Sequence, residues 1–549
     1  MITRWERYGQ VTEILARHGL GFLAAATGVD QWLNGRAGTA KTATANPERL
    51  RQALEELGPV FIKLGQMLST RSDLLPPEYI AELAKLQDGA PPLASDTVRA
   101  LVTQELGKAP EELFKTFDDA PLASASIGQA HEATLHDGTA VVIKVRRPGV
   151  VAQVNEDLEI LQNLATRATR TWAGAATYNL AGITADFAET LRAELDYLQE
   201  GRNAERFARN FDSEPDIHIP AIFWETTTSR VLTIERIRGI KVDQLQALKA
   251  AGIDRHELAD RAARAAAKMV FVDGFFHADP HPGNLFVEPS GSIGLIDFGM
   301  VGEVGKQLRE QLGRLLLAFT ANDPGRITSA LLALSTHTGT ADRSGLRTDT
   351  AQFMRLYQGK SLGQIDIAPL VTSMLTILRT HHLQLPRELA LLVKMLLMME
   401  GLGARLDPDF SLGEVLKPYA KRLALERFAP RNVAAVLSQL GLTAADLGTG
   451  LPEKLERLVA RMEDGVEVHL RAAELEPLIS RAEAIGNRLV AGMIAAAFIR
   501  GVGELTTADR DRLKIWLNPL MAGGVGAVGV LGTYLALTAR PRRRGGTKP

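Results

Sequence analysis

Cysteine is absent from all 549 residues, which excludes disulfides, thiolate zinc sites, iron–sulfur clusters and cysteine nucleophiles. The redox compartment stays open, and a reducing cytosol fits. An excess of either charge is lacking too: 63 Lys plus Arg meet 64 Asp plus Glu, so no global field draws in nucleic acid, and none is expected as a partner. Electrostatic roles fall to local patches. No cleaved leader is expected either, because "MITRWERYGQVTEILARHGLGFLA" holds no continuous apolar core of signal-peptide length. Its Ile2, Trp5, Tyr8, Val11, Ile14 and Leu15 instead recur at helical spacing and predict an amphipathic helix, with Trp5 and Tyr8 in packing or interfacial contact.

What is present is a globular mixture, 46% hydrophobic and 23% charged, in a chain long enough for two or three cooperating units. The small-residue stretch "NGRAGTAKTATANPE", residues 34 to 48, reads as a linker, and helical periodicity then dominates to about residue 110. A compact β-turn-β signal follows in "LASASIGQAHEATLHDGTAVVIKVRRPG", ending in the strand "AVVIKV". A long helical run is expected from Val154 to Asn210 and a strand in "RVLTIERI", residues 230 to 237. "LFV" and "IGLIDFG" flank "EPSGS" as a hairpin, and from about residue 305 nearly everything is helical. Residues 519 to 539, "PLMAGGVGAVGVLGTYLALTA", carry no charge and precede Arg540, Arg542, Arg543 and Arg544. With "LVAGMIAAAF" upstream, this predicts a terminal membrane hairpin that either spans the bilayer or lies in its interface.

The chemistry concentrates in "GFFHADPHPGNLF". Pro280 and Pro282 disfavour a helix, so His277 and His281 do not share a helical face as metalloprotease histidines do. Asp279 precedes Asn284 by five positions, as the catalytic Asp precedes the metal-binding Asn in the kinase loop H-R-D-L-x-x-x-N, and Asp297-Phe298-Gly299 follows. Upstream, "VVIK" places Lys144 on a strand. A nucleotide triphosphate is a polyanion, so a strand-borne lysine that grips its phosphates needs an acidic partner, for which Glu200 is the candidate. Asn284 and Asp297 offer hard oxygens to magnesium, and Asp279 is left as base or orienting carboxylate. An H-x-D-x-H metal cluster of His277, Asp279 and His281, in a metal-dependent hydrolase, is the competing reading.

Together with "FIKLGQMLSTRSDLLPPEY", "ASASIGQAH", "VVIKVRRPG", "AELDYLQEGRN" and "LIDFGM", the loop resembles the UbiB/AarF/ADCK family of atypical, ABC1-type kinase-like proteins, over roughly residues 50 to 425. The resemblance matches Lys63, Gly65 and Gln66 to a signature lysine, glycine and glutamine, and Glu194 and Asp196 to a Glu-x-Asp pair. It implies that a helical segment lays Lys63 over the active site opposite Glu194, and it groups both with Asp279 in the catalytic set. An Ala-rich loop, Ala123, Ser124, Ala125, Ser126, Ile127 and Gly128, stands where kinases carry glycines. Its side chains restrict the approach of backbone amides to phosphate. These residues join Lys144, Glu200 and Glu235 as the expected nucleotide contacts. No A-P-E element or activation-loop length follows Gly299, so a docking platform for protein substrates is not expected.

The expected fold is α+β and protein-kinase-like, with a small β-containing N-lobe, a helical C-lobe, a helical N-terminal extension and a C-terminal transmembrane-type hairpin. The expected divisions are an amphipathic helix and linker (1–48), an extension bearing Lys63 (49–115), an ATP-binding core (116–425), a helical connector (426–486) and the hairpin with its basic tail (487–549). ATP or ADP and Mg2+ are the expected cofactors. The resemblance implies an ATPase or a lipid or small-molecule kinase of isoprenoid-quinone metabolism, working with quinone-biosynthesis proteins. It would be membrane-associated, with its core on the cytoplasmic face. The alternative is a nucleotide-gated lipid-binding or chaperone-like module that transfers no phosphoryl group to its substrate.

Overall fold

The computed structural model describes residues 4–18, 20, 46–87, 89–171, 179–335, 342–359 and 364–427. All belong to the first of two units into which the chain divides, residues 1–433. The expected connector beyond residue 427, the expected terminal hairpin and most of the expected linker lie outside the described residues. Among the described residues, no helix is long and apolar enough to cross a membrane.

The small lobe is built on β1 (Thr116–Ser124), β2 (Gly128–Thr134) and β3 (Ala140–Arg146). Beyond a helical stretch come β4 (Ile217–His218) and β5 (Val231–Glu235), and β5 closes the sheet in the order β1-β2-β3-β5, all antiparallel. Along β3, Val141, Ile143 and Val145 are buried against Val98, Val102, Phe114 and Val231. The period of two therefore turns Val142, Lys144 and Arg146 to the opposite face, and register sets Lys144 between Ala130 and Leu232.

Gly128 opens β2 where no side chain fits: a Cβ there would stand 2.4 Å from the Tyr197 hydroxyl and 2.7 Å from the Val145 carbonyl oxygen. Because the second neighbour is backbone, Gly128→Ala is expected to destabilise the fold by about 1–3 kcal/mol through overpacking. A lowered midpoint in thermal unfolding would show this.

Among the described residues, the expected run from Val154 to Asn210 holds three helices: Val150–Thr171, Leu180–Glu194 and Tyr197–Asn210. The last break falls at Asp196, whose carboxylate accepts the Leu198 amide at 3.1 Å and caps the third helix. The expected linker also ends sooner than residue 48. Asn46 caps a helix over Pro47–Leu57, with Pro47 at its first turn.

The larger, helical lobe holds the short strands β6 (Ile240–Lys241), β7 (Phe275–His277), β8 (Leu285–Val287), β9 (Ile293–Leu295) and β10 (Val301–Glu303). They form a sheet in the order β4-β9-β8-β6 and a ribbon of β7 with β10. The hairpin expected around "EPSGS" is β8–β9, and its turn is completed by Gly291 at φ 85°. Long helices at Arg255–Lys268, Ile367–Thr380 and Arg387–Leu406 pack this lobe around Phe207, Phe275, Phe276, Phe298, Met395 and Met399.

A separate core joins the N-terminal helix Arg4–Arg17 to the extension. Val11 and Ile14 are buried with Leu54, Leu57, Phe61, Leu158, Phe187 and Leu191. Arg7 fixes the N-terminal helix by pairing with Asp157 at 2.8 Å and donating to the Leu57 carbonyl at 2.8 Å. This core seats the helix Pro59–Leu68, which carries Lys63, beside the helix that ends at Glu194.

Candidate nucleotide and phosphoryl-transfer site

Lys144 leaves the cleft face of β3 toward the helix Tyr197–Asn210. That helix buries Tyr197, Glu200, Ala204 and Phe207, a stripe of helical period in which Glu200 is the charged member. Its carboxylate receives Lys144 Nζ at 2.5 Å. Lys144 Nζ also stands 4.0 Å from Asp297 Oδ1. Burial pulls the Lys144 ammonium down, but the Glu200 and Asp297 charges outweigh it and hold the ammonium above its ordinary value. Burial raises the Glu200 carboxyl, with Lys144 acting against it.

The same helix clamps the Asp297-Phe298-Gly299 turn. The Phe298 amide donates to Glu200 at 3.3 Å, and the Asn203 side chain donates to the Phe298 carbonyl at 2.9 Å. Phe298 is fully buried, with its ring centroid 5.4 Å from that of Phe207. Asp297 is held at φ 66°, in the left-handed region that Asp tolerates better than bulky residues. Lys144 is the main cause holding the Asp297 carboxyl below its usual range, and burial opposes it. The Gly299 amide bond, His277 and Lys63 add to the lowering. Lys63 therefore reaches the cleft electrostatically.

His277 ties the two chemical segments together. Its Nδ1 accepts the Asp279 amide at 3.1 Å, so its other nitrogen carries the proton and donates to the Asp297 carbonyl at 2.7 Å. Burial lowers its pKa and keeps this neutral form. Both nitrogens are engaged with backbone. His281 Nδ1 accepts the Gly283 amide at 3.1 Å, within a single 3-10 turn over Pro282–Asn284. Among the described residues no cluster of three or more His, Asp or Glu side chains is disposed to hold a metal ion, so the H-x-D-x-H reading finds no support.

Asn284 donates its amide nitrogen to the Asp279 carbonyl at 3.3 Å, which turns Oδ1 away from that bond, and its own carbonyl accepts the Ile296 amide at 3.0 Å, next to Asp297. One amide oxygen and one carboxylate, both hard donors, fit a magnesium ion that takes its other ligands from phosphate and water. Asp279 Oδ1 lies 2.7 Å from Lys394 Nζ.

Lys63 Nζ is 3.0 Å from Glu194 Oε2, with both side chains largely buried. Gly65 allows the Lys63 helix to pack, since a Cβ there would sit 2.3 Å from Leu86 Cδ1 and 2.8 Å from Leu54 Cδ1. Gln66 donates to the Leu86 carbonyl at 3.1 Å. The Ala-rich loop is a tight turn between β1 and β2. The Ala125 amide donates to the Gly128 carbonyl at 2.9 Å, and Arg147 donates to the Ala125 carbonyl and to Ser124 Oγ at 2.8 Å each. Ala123 lies in β1, and the Ile127 carbonyl accepts the Arg147 amide. Glu235 ends β5 with its side chain on the Ala221 amide at 3.0 Å and on His218 at 3.4 Å. Its main-chain N–H is also engaged, donating to the Ala221 carbonyl at 2.8 Å.

Residues 85–331 match the ABC1 atypical kinase-like domain, and residues 350–411 match the UbiB helical domain. A probable protein kinase UbiB of Xylella fastidiosa is 32% identical over 543 residues, 96% of this chain and 98% of its own. The chain belongs to the UbiB family of atypical kinase-like proteins. An uncharacterised protein of Synechocystis is 36% identical over 467 residues, 82% of this chain and 80% of its own. A solved chain from Mycobacterium tuberculosis, titled as a complex with erythromycin, aligns with a TM-score of 0.46 at 24% identity, over 64% of this chain and 90% of that one. The UbiB assignment places the fold among kinase-like folds of mixed helix and sheet, rich in helix, and makes the chain a kinase-like enzyme by family.

Arg147, Arg71 and Asp73 carry contacts that no sequence motif assigned. Arg147 sits in the quoted "VRRPG" yet acts through the loop before it. Arg71 and Asp73 sit in the quoted "STRSDLL", where an Arg-x-Asp spacing is the one local hint of a pair. The pair is bidentate at 2.8 Å and buried. It also grips Leu385, with Asp73 accepting the Leu385 amide at 3.0 Å and Arg71 donating to its carbonyl at 3.2 Å.

Proposed function

We propose that the chain binds magnesium–ATP in this cleft and acts as an ATPase or as a kinase of an isoprenoid or quinone-precursor lipid. The observation that supports this most is the Lys144–Glu200–Asp297 group, a partly buried ammonium fixed by one carboxylate and set beside a second that is held ionised. Lys144 would meet the α/β-phosphates, and Asn284 and Asp297 would hold magnesium, whose charge would offset that of the phosphates. Asp279 would orient or deprotonate the accepting hydroxyl, and Glu235 would offer the base its main-chain carbonyl. The UbiB-named relatives support a role in ubiquinone biosynthesis, and the proposal extends from that role to quinone-biosynthesis proteins as partners, a membrane location and a core on the cytoplasmic face.

A second reading has its own observation. Lys63 pairs with Glu194 within electrostatic reach of Asp297, and Arg147 closes the Ala-rich turn on itself. Both features suit a nucleotide-gated lipid module that releases phosphate without transferring it. Incubating the intact chain with γ-labelled ATP and vesicles holding a polyprenylated phenol separates the two. Label on the extracted lipid supports the kinase, label only in free phosphate supports the gate, and no release at all defeats both.

If Lys63 and Glu194 guard the cleft, breaking the pair from either side has one consequence. Lys63→Ala and Glu194→Ala are each expected to change nucleotide preference while binding persists, with a coupling of about 0.5–3 kcal/mol in a double-mutant cycle on affinity. Effects that simply sum would remove the gate from this account.

A further inference from the structure

We infer that Lys394 is a phosphate-binding residue of this cleft, supplied by the helical domain, and that it lets the site distinguish ATP from ADP. The inference rests on the nucleotide reading above. The stretch "LALLVKMLLMM", Leu389 to Met399, holds Lys394 as its single charge. Leu389, Leu392, Met395 and Met399 are buried in the lobe core, and Leu391, Val393 and Leu396 are partly buried against it. A lysine in such a helix lays its alkyl stem along apolar surface and carries its ammonium to wherever a polar group waits. Here that group is the catalytic-loop carboxylate: Nζ lies 2.7 Å from Asp279 Oδ1, and the Lys394 side chain is 17% exposed.

The position matters because of what the loop itself lacks. From His277 to Asn284 there is no Lys or Arg, and His281, two residues past Asp279, uses its Nδ1 within the loop. Lys144 is held by Glu200 and lies near the Asp297 end of the cleft, and Lys63 is paired with Glu194. Lys394 is then the ammonium fixed beside the group proposed to meet the accepting hydroxyl, which is where the terminal phosphoryl group must stand for in-line transfer. An ammonium has three donors. One is directed to Asp279, and the others are available to the oxygens of a terminal phosphate. ADP has no group at that place, so Lys394 discriminates between the two nucleotides. It also makes the site composite: the helix bearing it, Arg387–Leu406, belongs to the UbiB helical domain of residues 350–411, outside the kinase-like domain of residues 85–331.

The test is calorimetric titration of the intact chain with magnesium and either a non-hydrolysable ATP analogue or ADP. Lys394→Met is expected to weaken the triphosphate analogue by roughly tenfold to a hundredfold, the range of a charge-assisted hydrogen bond, and to change ADP by no more than about twofold. Lys394→Arg is expected to recover most of the loss. Should Lys394→Met fail to fold, Lys394→Gln carries the same comparison. Equal weakening of both nucleotides, or no change in either, overturns the inference while leaving the nucleotide site standing. A wild-type chain that binds neither nucleotide overturns the reading beneath it as well.

Discussion

Lys144→Ala is expected to reduce magnesium–nucleotide affinity by roughly tenfold to a hundredfold, the range of one charge-assisted hydrogen bond to phosphate. It is also expected to destabilise the chain. Glu200 is buried, and its carboxyl is already pushed up by burial. Removing the ammonium 2.5 Å away leaves that group near the Asp297 charge with only the Phe298 amide to offset it, and breaking a buried pair from one side typically costs about 3–5 kcal/mol. The pairing of effects is diagnostic. Lys144→Ala combined with Glu200→Gln should regain much of the lost stability, because the stranded charge is gone, without regaining nucleotide. Denaturant unfolding beside nucleotide titration reads both. Recovery of binding in the double variant would contradict the assigned role of Lys144.

Asp73→Ala is the second change expected to have a large effect. Its carboxylate meets Arg71 through two bonds of 2.8 Å, accepts the Leu385 amide, and is 3% exposed. Deleting it strands a buried guanidinium and an unpaired amide at once, for an expected loss of about 3–5 kcal/mol. The damage should be local to the seat of the extension. Arg379 also donates to the Leu75 carbonyl at 3.1 Å, so the segment just after the Lys63 helix is fixed to the helical lobe at several points. Limited proteolysis should open first near residues 69–76, and Lys63 should lose its register over the cleft. Asp73→Asn, which keeps one acceptor for the Leu385 amide, should be milder. An Asp73→Ala chain with unchanged unfolding and unchanged proteolysis would show that the latch holds nothing.

How far the sequence reached can be judged from single residues. Lys144 was legible because "VVIK" reads as a strand and stands in kinase-like order before Asp279, Asn284 and Asp297, whereas the face it takes shows only in the alternating burial of β3. Glu200 was legible as one of the acidic residues of "AELDYLQEGRN", and the structure brings it to Lys144. The break at Asp196 was not, since the periodicity of one helix runs into the next and only the cap separates them. The short strands β4, β6, β7 and β10 offer too few residues for a period to show. Lys394 was missed for a different reason. It lies 115 residues past Asp279 in the chain (394 − 279), in an apolar helix that reads as core, and only tertiary packing brings it to the loop. Arg71 and Asp73 likewise act on Leu385, beyond the reach of any local pattern.

The central claim is that this cleft is a magnesium-dependent nucleotide site built on Asp297 and Lys144. Its most direct test is titration of ATP into the intact chain with magnesium and with chelator, for the wild type and for Asp297→Asn. The account predicts wild-type binding that weakens sharply when magnesium is removed, and an Asp297→Asn chain whose weaker binding no longer responds to the metal. Wild-type affinity that is the same in chelator, or an Asp297→Asn chain with undiminished magnesium-dependent binding, would contradict it.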